Sequence, residues 1–166
     1  MKYRMRLEKD TLTKVHSRVY IQEIVNKTFA IQNGKSQIGL AILDLDNFKR
    51  INDTYGHDNG DVVLERLGGL LNQYATEEII VGRFGGEEFV IIFKGNNKDE
   101  YYSIVEEIRQ KFSEFTFEFM KENMTFSTGI VTCKSCENYK TAFNKADEAL
   151  YESKNNGKNR VTVREI

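Results

Sequence analysis

Apolar residues along this chain recur at two different spacings, and each spacing predicts a different element. Val15, Val19, Ile21, Ile24, Val25 and Phe29 repeat close to the 3.6-residue helical period, so Asp10 to Asn33 reads as a helix that Gly34 is placed to stop. Ile38 to Leu45 (IGLAILDL) is almost continuously apolar, the pattern of a central strand covered on both faces. Phe48 to Tyr55 reads as a short helix ending at Gly56. Asp61 to Tyr74 is an amphipathic helix with Val62, Val63, Leu67, Leu70 and Leu71 on one side. Ile79 to Phe84 and Glu88 to Phe93 flank Gly85-Gly86-Glu87, a hairpin signal. Asp99 to Phe119 is helical in its first half, and Met124 to Thr132 alternates like a strand. Tyr139 to Asn155 is helical, with Ala142, Phe143, Ala146, Leu150 and Tyr151 spaced for one face, and Val161 to Val163 reads as a last short strand. Helices interleaved with hairpin strands predict an α/β or α+β domain with a mixed or antiparallel sheet.

Composition narrows the function classes. A chain of 166 residues, 40% hydrophobic and 30% charged, is sized and composed for one globular core. Its 24 Lys and Arg against 25 Asp and Glu leave a formal net charge of -1, so no bulk pull toward nucleic acid or anionic membrane follows. No apolar run approaches the roughly 20 residues that cross a bilayer, and Met1 to Asp10 lacks a signal-peptide core; a cytoplasmic location without membrane contact is expected. The absence of proline argues against a Pro-rich linker to a second domain. Two cysteines make no disulfide framework, and Cys133-Lys134-Ser135-Cys136 reads as a surface turn after a strand.

Four stretches carry candidate chemistry. Asp44 and Asp46 stand two apart at the end of the apolar strand, where they either hold a cation or cap the next helix. Gly85-Gly86-Glu87-Glu88 puts two acids beside glycines that allow close approach of a bulky ligand. If the two strands are sheet neighbours, Asp44 and Glu87 face one metal from two directions, as in metal-assisted nucleotidyl transfer. The polar stretch Ile51 to Asp61 contains Asn52 and Asp61. Asp61 suits the N–H edge of guanine and also suits capping of the helix that follows. Lys154 and Lys158 follow a helix end, where they either grip phosphate or complement the helix dipole. His16 and His57 stand far apart, and nothing resembles a nucleophilic triad.

Together these residues resemble a known family. Asp44-Leu45-Asp46-Asn47-Phe48-Lys49, Asn52-Asp53-Thr54-Tyr55-Gly56-His57, Gly60-Asp61 and Arg83-Phe84-Gly85-Gly86-Glu87-Glu88-Phe89 resemble the GGDEF domains of bacterial diguanylate cyclases. Ala146 to Tyr151, Lys154 and Gly157-Lys158-Asn159-Arg160 resemble the family's closing helix, and Asp10-Thr11-Leu12-Thr13 its beginning. The likeness implies a palm-like fold with a mixed, mainly antiparallel central sheet flanked by helices. It makes residues 1–9 a lead-in or the end of a signalling helix and residues 10–166 the domain.

The implied reaction condenses two GTP into cyclic di-GMP and two pyrophosphates, in a homodimer that holds one GTP per subunit. Asp44, Glu87 and the Leu45 carbonyl would hold Mg²⁺ or Mn²⁺. Glu88 would assist a second metal or activate the 3′ hydroxyl. Asn52 and Asp61 would read guanine. Phe48, Lys49, Lys154 and Lys158 would line the triphosphate, for which Gly85 and Gly86 make room. An upstream sensor or receiver domain is expected if the chain is a fragment. The alternative is a GTP-binding regulatory module with little or no turnover. A third reading is a cyclase that makes mixed cyclic dinucleotides, which Asp61 speaks against.

The chain departs from the family pattern at three places. Lys158 stands where the family usually has Arg, which keeps the charge and loses the bidentate fork. Lys14 follows Thr13 where the family usually has Gly, which puts the usual opening turn in question. Thr76-Glu77-Glu78-Ile79 occupies the window of the family's Arg-x-x-Asp product-inhibition site and carries neither charged anchor, so no product feedback is expected through it.

Overall fold

The computed structural model describes residues 8–31, 37–95, 97–134 and 138–166. Ten elements follow one another: α1 (Arg18–Ile31), β1 (Ile38–Leu45), α2 (Phe48–Tyr55), α3 (His57–Tyr74), β2 (Ile79–Gly85), β3 (Glu88–Lys94), α4 (Lys98–Ser113), β4 (Phe126–Cys133), α5 (Tyr139–Asn155) and β5 (Val161–Glu165). The sheet runs in the order β2-β3-β1-β4-β5. Its first three pairings are antiparallel and β4 pairs β5 in parallel, so it is mixed and mainly antiparallel as the pattern predicts.

Strand β1 sits at the centre because its apolar run suits burial on both faces. Leu43 and Leu45 join Phe89, Ile91, Phe126 and Ile130 beneath α3 and α4. Leu40 and Ile42 join Val90, Ile92 and Val131 against Ile21, Val25 and Phe29 of α1 and Ala142, Ala146 and Leu150 of α5. Helices cover both faces, and β1 ends between them.

Several elements begin elsewhere than the periodicity suggests. Helix α1 starts at Arg18, not at Asp10, because the preceding residues are held by tertiary bonds. His16 N donates to Val81 O at 3.0 Å, and Arg83 N donates to His16 O at 2.9 Å, so this segment extends along edge strand β2. The opening turn survives without its glycine: Lys14 takes φ 65° while its N donates to Asp10 O at 2.9 Å. Helix α3 starts at His57, because Gly56 turns the chain at φ 88° and Gly60 N donates back to Gly56 O at 3.1 Å. Asp61 is therefore inside α3 and caps nothing. Helix α4 ends at Ser113, capped at its start by Asn97, whose side chain accepts from Glu100 N. Val19 and Tyr151, both expected on apolar faces, are 68% and 69% exposed, since neighbouring residues supply the buried stripe. Cys133 is buried at the end of β4 instead of lying in a surface turn. Gly34 and Cys136 lie outside the described residues.

Candidate active site

Asp44 and Glu88 are direct partners across the β1–β3 ladder. Alternation along the strands turns both toward the α1 and α5 side. Glu87 stands at the hairpin tip, and its carbonyl accepts from Leu45 N at 3.3 Å, which fastens the tip to the end of β1. Arg83 braces the tip from the other side: Nε donates to Gly86 O at 3.0 Å, and the guanidinium pairs with Asp10 at 3.2 Å. A Cβ on Gly85 or Gly86 would meet nothing within 4 Å, so packing does not require glycine there; the ground before the acids is open.

Helix α5 delivers a lysine to these acids. It crosses β4 at Gly129, where a Cβ would lie 2.1 Å from Ala146 O and 2.3 Å from Leu150 N, so only glycine permits the approach. Ser153 Oγ then donates to Thr128 O at 2.8 Å and fixes the last turn. The next residue, Lys154, donates from Nζ to Asp44 Oδ1 and Asp46 Oδ1, both at 2.9 Å. The same ammonium lies 3.3 Å from Asp44 O and 3.4 Å from Leu45 O.

The two aspartates divide their roles, and neither caps the following helix. Asp46 is 2% exposed and accepts from Thr125 Oγ1 at 2.7 Å, Ser127 Oγ at 2.6 Å and Asn159 N at 3.0 Å, besides Lys154. Burial pushes its carboxyl up, but these donors and the ammonium outweigh burial and hold it below the ordinary value. Asp44 goes the other way: burial, with the charges of Glu87 and Asp46, outweighs Lys154 and pushes it up. Glu88 is pushed up to about 7 by burial and by the charges of Asp44, Asp147 and Glu87, against Arg18. The site thus gathers several carboxyls around the half-buried Lys154 ammonium, with Arg18 acting on Glu88.

The helix that follows β1 carries an unpaired acceptor. Asn52 Oδ1 is buried without a partner, and a Cβ on Gly60 would overlap that atom. Asp61 follows Gly60 directly and is exposed. An orphaned buried acceptor is costly unless a ligand donor completes it. Helix α2 opens at Asn47 (φ 57°) with no side-chain cap, leaving its first N–H groups for an anion. Lys49 is exposed in that first turn, and Lys158 Nζ reaches Asn47 Oδ1 at 2.7 Å. The Phe48 ring is only 7% exposed and belongs to the core, so its main chain and not its ring faces the opening of α2.

Among the described residues, no three His, Cys, Asp or Glu side chains form a ready metal cage. A cation is nevertheless accommodated: the Asp44 carboxylate and the Asp44 and Leu45 carbonyls accept an ammonium, with Glu87 adding charge nearby. Carboxylate and carbonyl oxygens together suit a hard divalent ion, so the donor chemistry fits one. Of the expected site residues, Asp44, Leu45, Glu87, Glu88 and Lys154 meet at this end of the sheet, while Phe48, Lys49, Asn52 and Asp61 sit on the two helices that follow β1. The residues that sequence reasoning missed are those holding Asp46 (Thr125, Ser127, Asn159) and those setting the charge around Glu88 (Arg18, Asp147). Only the i, i+2 acid pair hinted at them.

A family model described as "Diguanylate cyclase, GGDEF domain" matches residues 7–160. Diguanylate cyclase A of Treponema denticola is 36% identical over 132 residues, covering 78% of this chain and 36% of that protein. The chain spans 23% to 49% of the length of the first curated relatives it matches. The crystal structure of the GGDEF domain of DgcB from Caulobacter crescentus in complex with c-di-GMP superposes with a TM-score of 0.89 at 33% identity, covering 94% of this chain and 95% of that one. The active GGEEF domain of a diguanylate cyclase from Vibrio cholerae gives a TM-score of 0.83 at 31% identity, covering 89% and 96%.

Proposed function

The chain belongs to the GGDEF domain family of diguanylate cyclases, and we propose that its site condenses two GTP into cyclic di-GMP and two pyrophosphates in a homodimer. One observation carries the reading: Asp44 stands opposite Glu88 at an open glycine tip. The orphaned Asn52 acceptor and the uncapped start of α2, on the elements that follow β1, support it.

Each protomer holds one GTP. Asn52 and Asp61 accept from the guanine N–H groups, because a carboxylate and an amide oxygen match that edge. The first N–H groups of α2, with Lys49, Lys154 and Lys158, hold the triphosphate. Asp44, Glu87 and the Leu45 carbonyl would hold Mg²⁺ or Mn²⁺, which would supply charge neutralisation at the phosphate oxygens. Glu88, whose carboxyl is pushed up to about 7 by burial and the neighbouring acids, accepts in its ionised form the proton of the attacking 3′ hydroxyl. That oxygen bonds the α-phosphorus of the partner protomer's GTP, pyrophosphate leaves, and a second such step closes the ring. Nothing covalent is asked of the protein; positioning and charge do the work.

Thr76, Glu77 and Glu78 form an exposed turn in which Thr76 Oγ1 accepts from Glu78 N and Ile79 N. Two acids there repel an anionic dinucleotide, so the enzyme runs without product inhibition at this window. Micromolar cyclic di-GMP that strongly inhibits turnover through Thr76 and Ile79 would overturn that part.

The test is product analysis by chromatography and mass spectrometry, with concentrated protein, Mg²⁺, and either GTP or GTP with ATP. Cyclic di-GMP alone is the expected product in both. Mixed cyclic dinucleotides would remove Asp61 from guanine selection, and bound but unreacted GTP in a dimer would mark a receptor module instead.

A further inference from the structure

The Lys154 ammonium sits where a divalent cation has to go. Of the four oxygens around Nζ, three (Asp44 Oδ1, Asp44 O and Leu45 O) come from the strand end assigned to the metal above. The fourth, Asp46 Oδ1, is on a carboxylate already occupied by Thr125, Ser127 and Asn159. An ammonium and a divalent ion on the same three oxygens, Asp44 Oδ1, Asp44 O and Leu45 O, would stand at contact distance and repel strongly in a half-buried site, so binding of one weakens the other there.

We propose that Lys154 is a placeholder cation: without nucleotide it occupies the donors of the metal, and it yields them when a triphosphate arrives to receive the ammonium. The proposal rests on the reading of Asp44 as a metal ligand.

The geometry favours such an exchange. The backbone of Lys154 is fixed, since Ser153 is bonded to Thr128 O and to Thr162 Oγ1. Only the four-carbon side chain has to turn, and lysine carries a compact charge on a flexible stem. Its destination is close in the chain: Leu45 is followed within two residues by Asn47, where α2 opens and Lys158 already rests. Lys154 keeps Asp44 from standing as an unpaired half-buried charge when it is not bound by a metal. It also couples metal to nucleotide: each ligand removes the obstacle to the other, and by linkage the coupling is reciprocal.

The test is Mn²⁺ binding to the nucleotide-free protein, read by calorimetry or by the loss of the free-ion paramagnetic signal. Lys154→Met is expected to bind Mn²⁺ about tenfold or more tightly than the wild type, and Lys154→Arg to stay weak. Lys158→Met removes a neighbouring charge that touches none of the three oxygens, and its Mn²⁺ affinity should stay within about twofold of wild type. Equal affinities of Lys154→Met and wild type overturn the proposal, as does an equal gain in Lys158→Met. If Lys154→Met is too unstable for titration, thermal melts decide: Mn²⁺ should raise its midpoint more than that of the wild type, and an equal rise overturns the proposal. Adding Asp44→Asn separates the two levels of the argument. If the gain survives that change, the assignment of Asp44 to the metal fails and the placeholder falls with it. If binding needs Asp44 in both proteins but Lys154→Met gains nothing, the placeholder alone fails.

Discussion

Asp46→Ala should be among the most damaging single changes outside the apolar core. The residue is 2% exposed, accepts from Thr125, Ser127 and the Asn159 main chain, and pairs with Lys154 at 2.9 Å. Truncation leaves the Asn159 N–H without its acceptor and takes from Lys154 its more deeply buried counter-charge. Removing one partner of a buried ion pair costs about 3–5 kcal/mol, a large share of the roughly 5–15 kcal/mol that holds a domain together. For a chain of this size that is a fall in melting midpoint of about 6–20 °C, at about 2–4 °C per kcal/mol. Asp46→Asn keeps the shape and loses the charge, so it should fall between. Thermal and urea unfolding followed by circular dichroism measure both. A midpoint lowered by less than about 2 °C in Asp46→Ala would refute the reasoning, because Asp44 would then suffice to hold Lys154.

Other consequences follow from single residues. Gly129→Ala should push α5 off β4, costing about 1–3 kcal/mol or more by overpacking, and should lower turnover by displacing Lys154; unchanged stability would mean the helix can shift freely. Lys14→Gly should stabilise by about 1 kcal/mol, since Lys14 is held at φ 65°; a lowered urea midpoint would contradict this. Asp10 has its carboxyl raised by burial but lowered further by the Thr13 hydrogen bonds and Arg83, to a net value below the ordinary 3.8. A lowered native value adds stability that is present above the unfolded value and lost as pH falls through the native one. The stability gap between wild type and Asp10→Asn should therefore be full at neutral pH and shrink as the pH drops below about 4. A gap independent of pH would show that the Asp10 charge contributes nothing.

Much of the sheet was legible because its strands carry unbroken or alternating apolar runs bounded by glycine. The limits of α5 were readable from its periodicity and from the Asn at each end. The start of α1 was not, because the bonds that keep residues 10–17 out of the helix come from β2, far along the chain. The left-handed turn at Lys14 is likewise imposed against local preference by Asp10 and the bonds around it. At the site, residue types pointed to Asp44 and Glu88 as chemistry. They could not show that Asp46 is an anchor, because Thr125, Ser127 and Asn159 meet it only after β4 and the α5–β5 turn are in place. Nor could spacing show Lys154 on the Asp44 carboxylate and the Leu45 carbonyl: that follows from a helix crossing at Gly129, a glycine that looks unremarkable in a strand.

The central claim is tested most directly by cyclic di-GMP formation from GTP and Mg²⁺ in wild type and Glu87→Gln, side by side. The substitution removes one charge at the hairpin tip at nearly constant volume. The wild type should yield one cyclic di-GMP and two pyrophosphates per two GTP, and folded Glu87→Gln should yield neither. Equal product from both would take Glu87 out of the reaction, and the proposed site with it.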